Sequence, residues 1–209
     1  MGAQLVATNY LISGDNAFSE QVLDLLGLTG FDSNGLGLVA QYDSRDNQND
    51  PSAGARFVIQ NLAYRKGLGG DENFDTLGVR YQQYTRHGEG HVLAWRVMGR
   101  LTRDAPPGAY SSVPLRGYVR GSLLAKHMTA VELEERYRLR PRWALAGFAG
   151  AACLLDDLAD CQDGDSWFPM IGGGVIFTLK PKEKMVVRMD YAWGKSGNRG
   201  FYMNFGHPF

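Results

Sequence analysis

Apolar and polar residues alternate along this chain with a period of two, and no other feature constrains its fold as much. From Met185 to Trp193, the residues Met185, Val187, Met189, Tyr191 and Trp193 fall on one side of an extended backbone. Val186, Arg188, Asp190 and Ala192 fall on the other. Leu93, Trp95, Val97 and Leu101 likewise oppose Ala94, Arg96, Met98 and Arg100. Val131, Leu133, Tyr137 and Leu139 oppose Glu132, Glu134, Arg136 and Arg138. A helix would scatter each set around its circumference, whereas a strand sorts it onto one face. Extended along the chain, the pattern predicts ten strands, at roughly 3–12, 35–43, 54–65, 74–86, 90–103, 128–139, 142–155, 168–179, 184–194 and 200–209. One helix-like stretch, Phe18 to Leu26 with Ser19 as its cap, falls in the first long connection.

The connections alternate between short and long. His87-Gly88-Glu89, Arg140-Pro141 and Lys180-Pro181-Lys182-Glu183 are tight turns, and 44–53 is a longer one on the same side. On the other side lie the long loops 13–34, 104–127 and 156–167. Short turns at one end and long loops at the other characterise outer-membrane barrels. The sorted faces agree. Asp43, Arg80, Arg96, Arg100, Glu132, Glu134, Arg136, Arg188 and Asp190 share the polar side. A soluble barrel would have to crowd Met185, Tyr191, Trp193, Phe201, Phe205 and Phe209 into one small lumen, whereas a membrane barrel turns them to lipid. The last strand, with Phe201, Met203, Phe205 and Phe209 alternating to its end, is similar to the sorting signal of outer-membrane proteins; His207 departs from that pattern.

Composition sets the outer bounds. Balanced charge, 22 basic against 22 acidic residues, argues against nucleic-acid partners, and 44% hydrophobic residues is too many for a disordered chain. No apolar run is long enough for a membrane-spanning helix. The N-terminal residues carry no secretory leader, so for an exported protein the numbering is that of the mature chain. The expected architecture is therefore all-β: an antiparallel transmembrane β-barrel of about ten strands, within 8–12, forming a single domain over 1–209.

Candidate chemistry is sparse. Gly35-x-Gly37-x-x-Ala40 superficially matches a dinucleotide fingerprint but continues as strand alternation to Asp43. Neither a nucleophile elbow nor a phosphate-binding Walker sequence occurs, and His87, His91, His127 and His207 are too dispersed for a metal site. Ser122 and His127 are the only close Ser and His in a loop, a weak basis for a lipid hydrolase. Cys153 and Cys161 bracket a short loop, either as a disulfide or as two free thiols. Asp156, Asp157, Asp160, Asp163 and Asp165 make that region acidic without the spacing of a calcium loop. No catalytic residue, cofactor or metal is expected.

Four blocks in order resemble the bacterial surface antigen superfamily of outer-membrane barrels, which includes the barrel-assembly insertase and the two-partner secretion transporters. The first is Gly35-Leu-Gly-Leu-Val-Ala-Gln-Tyr-Asp43-Ser-Arg45-Asp46, followed by Pro51 and Gly54. The second, Leu115-Arg116-Gly117-Tyr118, is similar to the tip of the family's long lumen-entering loop. Glu134-Glu135-Arg136 matches a Glu-x-Arg strand, and Arg188-Met-Asp190-Tyr191-Ala192-Trp-Gly194 precedes the Phe-terminated last strand. The chain departs from the family in having room for neither about sixteen strands nor the N-terminal polypeptide-transport-associated domains. Phe148-Ala149-Gly150-Ala151-Ala152 also lacks the carboxylate that the family often places in a Phe-x-Asp-x-Gly block.

The resemblance implies that Arg116, flanked by Gly117 and Tyr118, pins loop 104–127 inside the lumen through Glu134, beside Arg136, with one acceptor fewer than usual. It implies an outer-membrane location, a lipid surround and insertion or translocation of an unfolded protein client. The alternative is a structural barrel, anchor or small channel. Ten strands enclose little more than side chains, so a loop of this length is expected not to fit. That predicts a homodimer, each chain a half-barrel completed by its partner.

Overall fold

In a computed structural model, which describes residues 2–11 and 30–206, the chain is all-β. Ten strands form one antiparallel sheet: β1 (Gly2–Leu11), β2 (Gly30–Asp43), β3 (Gly54–Tyr64), β4 (Phe74–His87), β5 (His91–Arg103), β8 (His127–Arg140), β9 (Trp143–Leu155), β10 (Trp167–Lys180), β11 (Met185–Gly194) and β12 (Arg199–Phe205). Two short strands, β6 (Ser111–Ser112) and β7 (Leu124–Ala125), pair with each other within the loop between β5 and β8. The long strands pair strictly with their neighbours in chain order. This is the arrangement that local hairpins between alternating segments produce. Among the described residues, no helix is long and apolar enough to cross a membrane.

All ten expected strands are present. One boundary is corrected: β2 starts at Gly30, so the first long loop ends there and not at 34. The extension is templated by β1, whose Leu11 lies opposite Gly30, and by Asp71, whose carboxylate accepts from the Asp32 amide at 2.7 Å. The small β6–β7 ribbon escaped the alternation because two-residue strands carry no period. The helix-like stretch at Phe18–Leu26 and the terminal residues His207 and Phe209 lie outside the described residues.

The sheet curls. Arg136 on β8 donates to the Pro51 carbonyl in the β2–β3 turn at 3.0 Å, and Lys184 in the β10–β11 turn reaches Asp46 in that same turn at 3.3 Å. Arg80 on β4 and Asn204 on β12 line one cavity. The concave face carries the charges: Glu132, Glu134, Arg188 and Asp190 are buried there. The convex face is apolar and open, with Leu38, Ile171, Phe201 and Phe205 between 63% and 76% exposed. The chain thus hides its ions and displays its aromatics.

Loop 104–127 folds back against the concave face, burying Val113, Leu115, Arg116 and Tyr118. The small residues Ala130, Ala152 and Ala192 pack with Val113, Leu115 and Tyr118 of the loop and make room for it against the open sheet.

The β2–β3 turn is held by its acidic residues. Arg45 grips Asp43 through two hydrogen bonds, at 2.9 and 2.7 Å. Asp46 accepts from the Ser52 amide and hydroxyl and from the Ala53 amide. Burial pushes the Asp46 carboxyl up, but these donors and nearby Lys184 outweigh it and hold the group below the usual carboxylate range. Its contribution is full above about pH 4, the ordinary aspartate value, and is lost as pH falls through its lower folded value. Asp46→Ala should therefore cost about 1–2 kcal/mol at pH 7. The difference from wild type in chemical-denaturation midpoint should shrink below pH 3.

Candidate functional site

The concave face of β8 presents every second residue: Ala130, Glu132, Glu134 and Arg136. The alternation that sends Val131, Leu133 and Tyr137 outward forces these carboxylates inward. Three strands further on, β11 turns Arg188 and Asp190 the same way. Between them β10 carries Gly172 and Gly174. Gly174 lies opposite Asp190, and a Cβ built on it would stand 1.9 Å from Asp190 Oδ1. A Cβ on Gly172 would strike the Phe148 ring at 2.3 Å. The glycines give up their side-chain space so that Phe148 and Asp190 can occupy it.

Into this floor drops the loop tip. Arg116 donates to Glu134 Oε2 at 2.9 Å, to Asp190 Oδ2 at 2.8 Å and to Glu132 Oε1. Its guanidinium carbon lies 3.4 Å from the centre of the Phe148 ring, a cation–π contact. Arg188 holds both oxygens of Glu134 at 2.7 Å and also bonds Asp190. Arg136 bonds Glu134 at 2.8 Å, and Arg96 bonds Glu132 at 3.0 Å through Nε. Four guanidiniums thus meet three buried carboxylates, with Asp50, 3.7 Å from Arg136, as a fourth counter-charge. Charge is closely balanced where it is most costly to leave unbalanced.

The neighbours of Arg116 fix its approach. Gly117 has φ +89°, a left-handed conformation, and its amide donates to the Tyr202 hydroxyl at 2.8 Å. Tyr118 donates to the Pro169 carbonyl at 2.5 Å and accepts from the Lys195 amide at 2.7 Å. Its ring fills the place where a side chain on Gly194 would stand. The tip is therefore tied to β10, β11 and β12, in addition to the carboxylates of β8.

Arg116, Gly117, Tyr118, Glu134 and Arg136 are brought together, and Arg96, Arg188 and Asp190 join them. The missing-acceptor expectation is corrected: Glu132 and Asp190 both bind Arg116, and Phe148 supplies a π face. Arg100 lies apart, bonding the Ala109 carbonyl and Ser111 hydroxyl at 2.9 Å, where it holds the start of the long loop. Asp43 is spent on Arg45 in the turn. Phe201, Met203 and Phe205 share the exposed convex side of β12.

Cys153 and Cys161 are joined as a disulfide, with their Cα atoms 5.9 Å apart. Asp160 accepts from the amides of Asp156 and Asp157, so that carboxylate organises the loop. Among the described residues, no group of three or more acidic, Cys or His side chains is arranged to hold a metal. Ser122 donates to the Val119 carbonyl, while His127 Nδ1 accepts from the Thr102 amide; the two are not bonded to each other. Gly35 and Gly37 lie within β2, opposite Tyr64 and Leu62.

No protein-family model matches the chain, and no curated protein matches it in sequence.

Removing one member of a buried ion cluster strands the charges left behind, at about 3–5 kcal/mol. Glu134→Ala should destabilise the fold by that amount, read from the denaturant midpoint. Gly174→Ala, which removes no charge, should act in the same direction by evicting the Asp190 carboxylate. Wild-type stability in Gly174→Ala would refute the steric assignment.

Proposed function

We propose that the chain is a bacterial outer-membrane β-barrel whose lumen is plugged by loop 104–127, and that it acts in inserting or translocating unfolded polypeptide at that membrane. The observation that carries the membrane reading is the inverted polarity of the sheet. Ions are buried on the concave face, and large apolar side chains are exposed on the convex one. In water, so much exposed aromatic and aliphatic surface would aggregate, whereas against lipid it is the stable arrangement. β1 and β12 are the unpaired edges of the sheet; contacts of the β2–β3 turn with β8 and with the β10–β11 turn bend it in the direction that closure at a β1–β12 seam would require.

In this reading Arg116 is the lock of the plug. Its three carboxylate partners sit on strands separated in the sheet order by β9 and β10, so freeing the loop breaks all of them together. Polypeptide handling is the activity implied by the four ordered blocks, above all Leu115-Arg116-Gly117-Tyr118, now placed at the tip of the buried loop. A second reading, a closed structural anchor or small channel, is favoured by the number of ion pairs and hydrogen bonds that hold that tip in place.

The class is tested by migration in gels. The chain folded in detergent should run differently before and after boiling, and identical migration would remove the barrel. Planar-bilayer recordings address the plug: wild type should be electrically silent and Arg116→Ala should conduct. Silence in both, together with no acceleration of client folding into liposomes, would leave the anchor.

A further inference from the structure

The buried cluster is neutralised, but the cavity beside it is not. Between β4, β5, β12 and the long loop lies a space of about 610 Å³, a volume suited to a small ligand. Five arginines line it: Arg80, Arg96, Arg116, Arg120 and Arg199. Among the described residues, no acidic side chain lines it. Arg96 and Arg116 are already engaged by Glu132 and its neighbours. Arg80, Arg120 and Arg199 make no hydrogen bond or ion pair among the described residues, and the charges acting on Arg80 are those of Arg96, Arg56 and Arg120.

Gathering like charges around one cavity costs free energy unless something of opposite sign is bound there. The cationic side chains in the lining are all arginine, with no lysine among them. A guanidinium presents a rigid fork of donors suited to tetrahedral oxyanions. The Asn204 side-chain amide also lines the space and makes no hydrogen bond among the described residues. The Tyr202 hydroxyl accepts from Gly117 and keeps its own proton to donate. We infer that this cavity binds a phosphate monoester or inorganic phosphate, with Arg80 and Arg120 as its ligands, Arg199 reaching it from the edge of β12, and Arg96 and Arg116 as a charged floor.

A carboxylate offers two oxygens and one charge, too few for three free guanidiniums. A phosphate monoester offers three terminal oxygens and close to two charges. Its other end has a place as well. Val119 and Phe201, 67% and 63% exposed, border the same cavity. They suit the apolar part of a phospholipid whose headgroup has turned inward. The inference needs only the curled sheet, and it holds whether or not the membrane reading does.

The test is calorimetric titration of the full chain in uncharged detergent with two probes, inorganic phosphate and dihexanoyl phosphatidic acid. Dihexanoyl phosphatidylcholine, whose phosphate is capped, serves as control. At least one of the two probes should bind once per chain, and the control at least tenfold more weakly. Phosphatidic acid binding tenfold more tightly than phosphate identifies a lipid headgroup as the source, while equal affinities identify the free anion. The triple variant Arg80→Gln, Arg120→Gln, Arg199→Gln should weaken binding at least tenfold. Arg142→Gln, which removes one arginine charge in the β8–β9 turn, should not. Because Arg80 faces only like charges, Arg80→Gln should also raise the melting temperature. Failure of both probes to bind, full binding by the triple variant, an equal loss in Arg142→Gln, or a lowered melting temperature in Arg80→Gln would each overturn the site.

Discussion

The Glu134 carboxylate organises this molecule. A fully buried charge is tolerable only when counter-charges and donors surround it, and Glu134 has three arginines, from β8, β11 and the long loop. Meeting that demand dictates much else. The loop must fold inward to deliver Arg116. Strand β10 must carry glycine where Asp190 and Phe148 need room, and β11 must place Arg188 and Asp190 on the same side. The concave face is shaped by an ion that needs company, more than by apolar packing.

Such a cluster does not add much net stability, because the cost of dehydrating its members offsets most of their attraction. What it adds is discrimination. Arrangements that satisfy all the partners are few, and losing any one partner is expensive. A loop tip held this way loses all its partners together when it leaves its seat. The apolar convex face carries no comparable set of specific partners. The chemistry specific to this chain is therefore concentrated within.

The sequence made the strands legible because period-two alternation is a local signal, and here it runs unbroken through most of the chain. It also sorted the faces: Arg96, Glu132, Glu134, Arg188 and Asp190 could be put on one side without coordinates. What it could not reveal was depth along the strands. Whether Arg116 meets Glu132, Glu134 or Asp190 depends on the stagger of β8 against β11 through two intervening strands, and no local pattern encodes that. The block Phe148–Ala152 reads in sequence only as lacking a carboxylate, because the π face that Phe148 offers leaves no mark in charge arithmetic. The disulfide stayed open between bonded and free because sequence carries no distances. Arg80 and Arg199 are visible as residues, but that neither pairs with a carboxylate among the described residues is a fact of three dimensions.

The glycines of β10 have one further effect, on the path by which the sheet assembles. Antiparallel strands can in principle zip together in several alignments two residues apart, each keeping the same faces in and out. Here the wrong alignments are blocked. Slid one way, Asp190 would meet Ile176, a bulky apolar side chain; slid the other, it would meet Gly172, whose space Phe148 already fills. Only the alignment with Gly174 opposite Asp190 leaves the carboxylate a place to go. The β10–β11 hairpin thus proofreads its own pairing as it forms, using an absence of atoms as the template.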